Sequence, residues 1–409
     1  MPATTTRHPV LKRLTLLVVG SVLLAGYSGA SFPTSAPSAG AALAGPPVRG
    51  AEVAEAELER AVAELAAMPG GVNRATIPTL DDDDDPRGAA GELEVGAGVA
   101  PTADDHVRVA SVAKAFTAAT ALSLVDDGVL ALGDTIGQHR PDLPASWGEV
   151  TLRQLLDHTS GVPDFTGAPE FARAVTSSLD TAPPPRVLLS FVRRPGPEIP
   201  PGSEYEYSNS DNIVAALIIE AATGQPFASV LEEQVLDPLG LDRTSVPEGV
   251  EMPEPYVHGY ELQPPQPPED VSELLAVGWA WASGGIVSTP ADMNDFVRGY
   301  VGGELFGEAV QAEQRSLFIP AAGSEPPGPG SNSASLGLFR YQTPCGTVYG
   351  HSGNTFGYTQ FIVASADGER SATVSISLQR TQKSEGKAAD VFEGLQRAEQ
   401  AAICLALDG

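Results

Sequence analysis

The sequence predicts an α+β fold of two lobes, in which the two ends of the chain build one α/β layer and a mostly helical lobe is inserted between them. Three observations predict it. Val53, Leu58, Val62 and Leu65 fall at helical spacing among glutamates over residues 50–68, and Val391, Phe392, Leu395, Ala398 and Ala402 repeat such a stripe near the other end. Residues 359–365 and 371–378 flank Asp367-Gly368 as the two strands of an antiparallel hairpin. From about 112 to 270, helical stripes and Pro-punctuated loops dominate, with SVAKAFTAATALSLVDDGVL and SDNIVAALIIEAATG as the clearest helices.

Taken in order, the chain opens on Arg7, Lys12 and Arg13, an apolar run over residues 14–24, and the small residues Ser28-Gly29-Ala30. A basic start, a short apolar core and a small-residue exit describe a signal peptide over residues 1–30. An uncleaved anchor is the alternative, but the run is short for a span of about 20 residues. Leu24-Ala25-Gly26 resembles a lipoprotein cleavage box, yet Tyr27 stands where the lipidated cysteine belongs. The expected product is a secreted, soluble protein with no stable membrane anchor. Residues 31–49 are Ala, Gly, Pro and Ser without periodicity and read as a flexible linker. The folded domain is expected over residues 50–409, its α/β lobe at about 50–110 and 271–409 and its helical lobe at about 111–270. The five aspartates at 81–85 lack the alternating spacing of a calcium-binding loop and read as solvated chain. No internal repeat of 20–50 residues is present.

A chain of 409 residues, 42% apolar and 19% charged, can bury a large core. Its formal charge of −28 opposes binding to nucleic acid or anionic lipid, both of which reward clustered Lys and Arg. Only four lysines occur, so a motif built on lysine carries more information than usual. Cys345 and Cys404 are the two cysteines; in an oxidising compartment an even count favours one disulfide, and two free buried thiols are the other reading. A bridge would tie the terminal helix to the sheet.

Ser111-Val112-Ala113-Lys114 opens an Ala-rich apolar helix, and a separation of three places both side chains on one helix face. A serine hydroxyl is a poor nucleophile until a base takes its proton, and a lysine can do so when burial and neighbouring positive charge lower its pKa. Alone the spacing is weak: Ser384-Glu385-Gly386-Lys387 repeats it in a polar turn, and a serine at a helix start is commonly only a polar boundary. Tyr207-Ser208-Asn209 follows a Pro200-Pro201-Gly202 turn and precedes a helix. A phenol beside an ammonium can be held partly ionised and move protons, and an asparagine amide can hold a substrate carbonyl and the lysine together. The bland alternative is a loop tyrosine packing on a helix. Tyr349-Gly350-His351-Ser352-Gly353-Asn354 leads into the hairpin; Gly353 would let a substrate backbone approach a strand edge, and His351 would supply a cation or a donor. Read blandly, it is a strand start with a capping histidine.

In that order, Ser-x-x-Lys, Tyr-x-Asn and His-x-Gly resemble the serine β-lactamase and penicillin-binding superfamily. The likeness is to the class C β-lactamase-like branch that includes a secreted actinomycete D-alanyl-D-alanine carboxypeptidase. LRQLLDHTSGVPDF at 152–165, ASGGIVSTPADM at 282–293 and CGTVYGHSGNTFGYTQFIVASADGERSATVS at 345–375 agree with it, and the resemblance covers roughly residues 52–408. It implies a β-lactamase/DD-peptidase fold: a five-stranded antiparallel sheet flanked by the terminal helices, facing an inserted helical lobe. It further implies that Ser111 is acylated, that Lys114 and Tyr207 share the proton traffic, and that Asn209 positions. His351 would replace the lysine of the commoner Lys-Thr-Gly triad. The backbone N–H groups of Ser111 and Asn354 would form an oxyanion hole, with Ser352 and Gly353 in the substrate-binding strand. His158 is assigned a turn-forming role, and neither metal nor cofactor is needed. Small peptides, β-lactams and peptidoglycan are the implied partners.

Two stretches depart from the pattern. Residues 71–98, where the family carries an apolar hairpin, are broken by Pro78, the aspartate run and Pro86, so that sheet edge should be irregular. Where the carboxypeptidase carries adjacent arginines, this chain has Leu338-Phe339-Arg340-Tyr341; Arg340 is the candidate partner for a substrate carboxylate only if it turns into the site. The leading expectation is acyl transfer from a D-Ala-D-Ala peptide to water. A β-lactamase, an esterase or a D-amino-acid amidase would use the same site, and a catalytically silent cell-wall-binding module would use the same fold. An α/β-hydrolase is disfavoured by the lack of a Gly-x-Ser-x-Gly elbow.

Overall fold

The computed structural model describes residues 51–67, 76–80, 89–194, 196–262, 267–321, 328–379 and 387–408. The expected signal peptide, the linker, the aspartate run and Ser384 lie outside them. Seven strands form one antiparallel sheet: β1 (Thr76–Leu80), β2 (Ile319–Pro320), β3 (Ser331–Ser335), β4 (Leu338–Thr343), β5 (Gly346–Thr355), β6 (Tyr358–Ala364) and β7 (Ser371–Ile376). Their spatial order is β1-β7-β6-β5-β4-β3-β2. The hairpin read at Asp367-Gly368 joins β6 to β7, with Ala364 opposite Ser371. Both strands are buried along their whole length, and their β-branched residues suit such a doubly covered position.

The sheet is wider than the five strands expected. β3 reads Ser-Asn-Ser-Ala-Ser and shows no apolar alternation, while β2 is two residues long, so neither carries a sequence signal. They add to the edge of β4 because Gly337 takes a left-handed φ of 60° and reverses the chain between Ser335 and Leu338. At the opposite edge β1 pairs with β7, with Pro78 opposite Val374. Proline is tolerated there because an edge strand needs its donors on one side only. Among the described residues no second strand joins that edge.

Five helices frame the site: α1 (Ala51–Ala67), α2 (Ala113–Asp126), α3 (Asn209–Thr223), α4 (Pro290–Gly302) and α5 (Lys387–Asp408). α1 and α5 cover one sheet face, burying Leu58, Val62, Leu65, Leu395 and Ala402 against Phe361, Val363 and Val374. The amphipathic stripes read at both chain ends therefore meet, as expected. α2, α3 and α4 belong to the larger core on the other face, where Phe116 of α2 stacks on Phe296 of α4 at 3.6 Å between ring centroids. α2 and α3 are buried nearly all round, which explains why both read as apolar rather than amphipathic. Ser208 caps α3 by accepting from Ser210 N, and Gly224 ends it in a left-handed conformation. Among the described residues no single helix is long and apolar enough to cross a membrane.

Cys345, in the turn between β4 and β5, is disulfide-bonded to Cys404 of α5. The bridge fastens α5 to the strand that carries the His351 motif. Closing a loop of 59 residues, it restricts the unfolded chain, and replacing both cysteines with serine is expected to lower unfolding free energy by about 2–4 kcal/mol. Urea denaturation of the two proteins measures this, and coincident midpoints would deny the bridge a stabilising role.

Candidate active site

Ser111 sits in a 3₁₀ turn, Ala110–Val112, that leads directly into α2. Ala110, just before it, has a φ of 52°, a left-handed conformation that costs a non-glycine residue about 1–3 kcal/mol. That kink turns the chain out of the short strand Val107–Arg108 and presents the hydroxyl at the helix start. β5 lies against the same turn: a Cβ on Gly353 would come within 2.4 Å of Val109 O and 3.0 Å of Ser111 N, so only glycine fits. The strand edge is thereby held over the first amides of the nucleophile turn.

Lys114 is buried on the first turn of α2, and its ammonium has three acceptors for its three donors. Nζ donates to Ser111 Oγ at 3.0 Å, to Asn209 Oδ1 at 2.9 Å and to Ser283 O at 2.6 Å. Burial pulls its pKa down to about 7, with Asp164 and Asp211 opposing. No positive neighbour is responsible, contrary to the expectation from sequence. At neutral pH a large share of Lys114 is the free amine, whose lone pair can receive the Ser111 proton along the existing contact.

Tyr207 lies beside this pair, its ring 4.9 Å from Lys114 Nζ. Burial raises its phenol above the usual range, and the nearby Ser111 hydroxyl opposes that only in part. The phenol is therefore neutral rather than partly ionised, which corrects the expected role: it is suited to give a proton, while Lys114 is suited to take one. Its buried hydroxyl lies near that of Ser111, and among the described residues it has no partner in good hydrogen-bonding geometry. Asn209 acts on the lysine. Its Oδ1 accepts from Nζ, and its Nδ2 is engaged by Asp164 Oδ2 at 2.9 Å and, more distantly, by Thr166 Oγ1 at 3.4 Å.

His351 is buried beside the site but brings no charge. Burial lowers its pKa to about 3, so the ring is neutral, and the 2.6 Å contact of Nδ1 with Ser352 O places the proton on Nδ1. Nε2 is then an acceptor, not the cation or donor expected. Ser352 is buried, and Asn354 accepts a 3.0 Å bond from Thr359 Oγ1.

Arg340 is not brought to the site. The β4–β5 register puts it opposite Tyr349, where its guanidinium stacks on Phe318 at 4.5 Å and Nε donates to Ser333 Oγ. Phe339 takes the inward position instead, with its ring 4.9 Å from that of His351. Strand alternation makes the two exclusive.

Sequence reasoning missed a buried pair beneath Tyr207. His158, given a turn role above, does adopt a left-handed φ of 58°, but its ring also packs 4.6 Å from the Tyr207 ring. Its carbonyl accepts from Glu206 N at 2.8 Å, and Nδ1 lies 2.8 Å from Asp211 Oδ2 and 3.4 Å from Ser208 N. Both sides of Tyr207 thus hang on one residue. Asp211 also accepts from Ser160 Oγ. Burial pushes the Asp211 carboxyl well up and the His158 imidazole down to about 3, so the pair is held neutral. The available signal was Asp211 itself, an acid on the first turn of a helix that turns apolar from Ile213 to Ile219. Among the described residues no group of His, Cys, Asp and Glu is arranged to hold a metal ion.

Against known proteins, the family model described as "Beta-lactamase" matches residues 58–395. The chain is 28% identical over 260 residues to the D-alanyl-D-alanine-carboxypeptidase/endopeptidase AmpH of Escherichia coli strain K12, covering 61% of this chain and 63% of that one. It is 31% identical over 220 residues to penicillin-binding protein 4 of Amycolatopsis lactamdurans, covering 51% and 54%. It thus spans less than two thirds of the length of these relatives. A solved D-stereospecific amidohydrolase from a Streptomyces species superposes with a TM-score of 0.68 at 28% identity, over 80% of this chain and 94% of that one. The D-amino acid amidase of Ochrobactrum anthropi SV3 complexed with D-phenylalanine gives 0.71 at 23% identity, over 85% and 98%, and shares the fold.

Proposed function

We propose, from the premise that this chain belongs to the beta-lactamase family and is a serine hydrolase of the β-lactamase and DD-peptidase kind, that it cleaves amide bonds of D-amino-acid peptides through an ester on Ser111. The observation that carries the reading is the hydrogen-bonded run from Ser111 through Lys114 to Asn209, at a lysine whose pKa is pulled to about 7. Free Lys114 takes the Ser111 proton as Oγ bonds to the substrate carbonyl. The oxyanion faces the backbone N–H groups of Ser111 and Asn354. Tyr207 gives its proton to the departing amine as the C–N bond breaks, and Lys114 returns the first proton to the phenolate. Water then cleaves the ester, releasing the acid and restoring Ser111. The printed names of AmpH and of the Streptomyces amidohydrolase support a D-configured substrate. The basic and apolar stretch at 7–24 supports export, where cell-wall peptides and β-lactams are met.

Arg340's outward position supports a second reading, a D-amino-acid amidase whose leaving group carries no carboxylate. The first test is intact mass of the protein with benzylpenicillin over time, beside Ser111→Ala. A persistent adduct absent from the variant is expected. Drug loss without an adduct would make it a β-lactamase, and neither adduct nor loss would exclude penicillin recognition and leave the amidase.

A further inference from the structure

Asn209 gives its amide hydrogens to its neighbours rather than to a substrate. Nδ2 donates to Asp164 Oδ2 at 2.9 Å and, more weakly, to Thr166 Oγ1 at 3.4 Å, while Oδ1 accepts from Lys114 Nζ. The donor expected to hold a substrate carbonyl is therefore taken, and the polar atom that adjoins it is a carboxylate oxygen. Asp164 is firmly placed. Ser210, on the first turn of α3, donates from Oγ to Pro163 O at 2.6 Å and accepts from Phe165 N at 3.1 Å, one residue to either side of Asp164. Oδ1 of Asp164 caps the 3₁₀ turn Phe165–Gly167, accepting from Thr166 N and Thr166 Oγ1 at 2.9 Å each. Oδ2 accepts from Asn209 alone among the described residues, which leaves it a lone pair for a second donor.

This half-buried carboxylate has no countercharge of its own. Among the described residues it forms no ion pair, and its contacts are all with neutral donors. After burial, its charge is the largest influence on the Lys114 ammonium, acting through space. Proton abstraction needs Lys114 as the free amine, and burial keeps the groups around it uncharged: the Tyr207 phenol, the His158 and His351 rings and the Asp211 carboxyl. Among these groups the competent site is left with one negative charge, on Asp164. Ser111 Oγ and Asn209 Oδ1 share Lys114 Nζ as their donor, so one amine and one amide group separate that charge from the nucleophile. In an amino-acid amide the α-nitrogen lies about 2.5 Å from the carbonyl carbon under attack. As an ammonium it brings the missing countercharge; once acylated it brings a carbonyl oxygen, acceptor against acceptor, with no Asn209 donor left to meet it.

We infer that Asp164 receives the free α-ammonium of the D-residue whose carbonyl Ser111 attacks, and so selects D-amino-acid amides and peptides with an unblocked N-terminal D-residue over N-acylated ones. This rests on the reading above, amide cleavage through Ser111, and narrows its substrate class. A charge-assisted hydrogen bond corresponds to a preference of about tenfold to a hundredfold over an uncharged substituent.

The test compares kcat/KM for D-alanine p-nitroanilide and N-acetyl-D-alanine p-nitroanilide by release of p-nitroaniline. A p-nitrophenyl acetate burst, which involves no α-amine, checks that Ser111 is competent in each protein. At pH 7 the wild type is expected to favour the free amine by about tenfold or more, and Asp164→Asn to bring the ratio to within about threefold of unity. The substitution keeps an oxygen for the Thr166 cap but turns an N–H₂ group towards Asn209, so both substrates can slow together; the ratio is the readout, not the rate. A second measurement needs no variant. An α-amine titrates at about pH 8, so the wild-type ratio should hold steady up to about pH 7 and fall towards unity above 8, while Lys114 acts on both substrates alike and cancels. A wild-type ratio at or below unity at pH 7, a ratio that Asp164→Asn leaves unchanged, or one that does not fall above pH 8 overturns the anchor and leaves amide cleavage through Ser111 standing. Turnover of neither substrate by a protein that gives a full burst overturns that reading, and the anchor with it.

Discussion

Lys114→Met is expected to slow acylation of Ser111 by about a thousandfold, the middle of the range for losing a positioned general base. Methionine keeps most of the apolar stem in its buried channel, so the change isolates the amine. It also leaves Asn209 Oδ1 and Ser283 O without their donor, at a cost of about 1–3 kcal/mol each if water does not reach them. Stopped-flow bursts with p-nitrophenyl acetate measure the rate, and a melting curve separates lost chemistry from lost fold. The pH profile of the wild type carries the sign. Lys114 must be deprotonated to accept, and burial holds its pKa at about 7, so acylation should climb with pH through 7 and level off above. His351 and His158 are already neutral across that range and add no limb of their own. A flat profile between pH 5 and 9, or a variant as fast as wild type, would remove Lys114 as the base.

The second large effect is expected at Asp211, and the choice of substitute decides it. Asp211→Ala leaves His158 and Ser160 facing a cavity and should cost about 2–4 kcal/mol, with acylation falling as Tyr207 loses its backing. Asp211→Asn should be nearly silent. If the carboxyl is protonated, as its burial dictates, it donates to His158 Nδ1 and accepts from Ser160, and an asparagine amide does both. An ionised Asp211 would instead accept on one oxygen from an Nδ1–H of His158 and on the other from Ser160 Oγ, and asparagine, with a single acceptor oxygen, would have to turn its NH₂ towards one of those donors. Denaturation midpoints and burst rates of the two variants together tell these apart: a severe loss in Asp211→Asn would establish an ionised carboxylate.

What was legible in the chain was what proximity in sequence or periodicity can encode. Ser111 and Lys114 are one helical turn apart, and the terminal stripes announce helices that need a common partner. The hairpin at Asp367-Gly368 fixes the register of β6 on β7, and the order of motifs names the family. The rest depended on burial. Tyr207 beside a lysine reads as an acidified phenol until the burial of its hydroxyl is seen to raise it, and His351 reads as a cation until burial neutralises it. Arg340 and Phe339 differ by one position on a strand, and only the pairing of β4 with β5 decides which points inward. β3 is a strand because β4 offers an edge, not because its serines prefer one.

The placement of β1 bears on how the molecule reaches this state. Among the described residues its one ladder partner is β7, with Thr76 opposite Ile376, so the strand nearest the start of the folded region waits for nearly the last one. Contacts this distant along the chain are formed slowly, because a long loop must close before any pairing repays it. The α2–α3 lobe lies wholly inside that loop and can gather around its own core first. The active site, which needs Ser111 from the lobe and Gly353 from the sheet, is then completed only as the two ends meet. A chain stopped short of Ser371 would hold a formed helical lobe, a nucleophile with no strand edge fully supported behind it, and β1 with nothing to pair with.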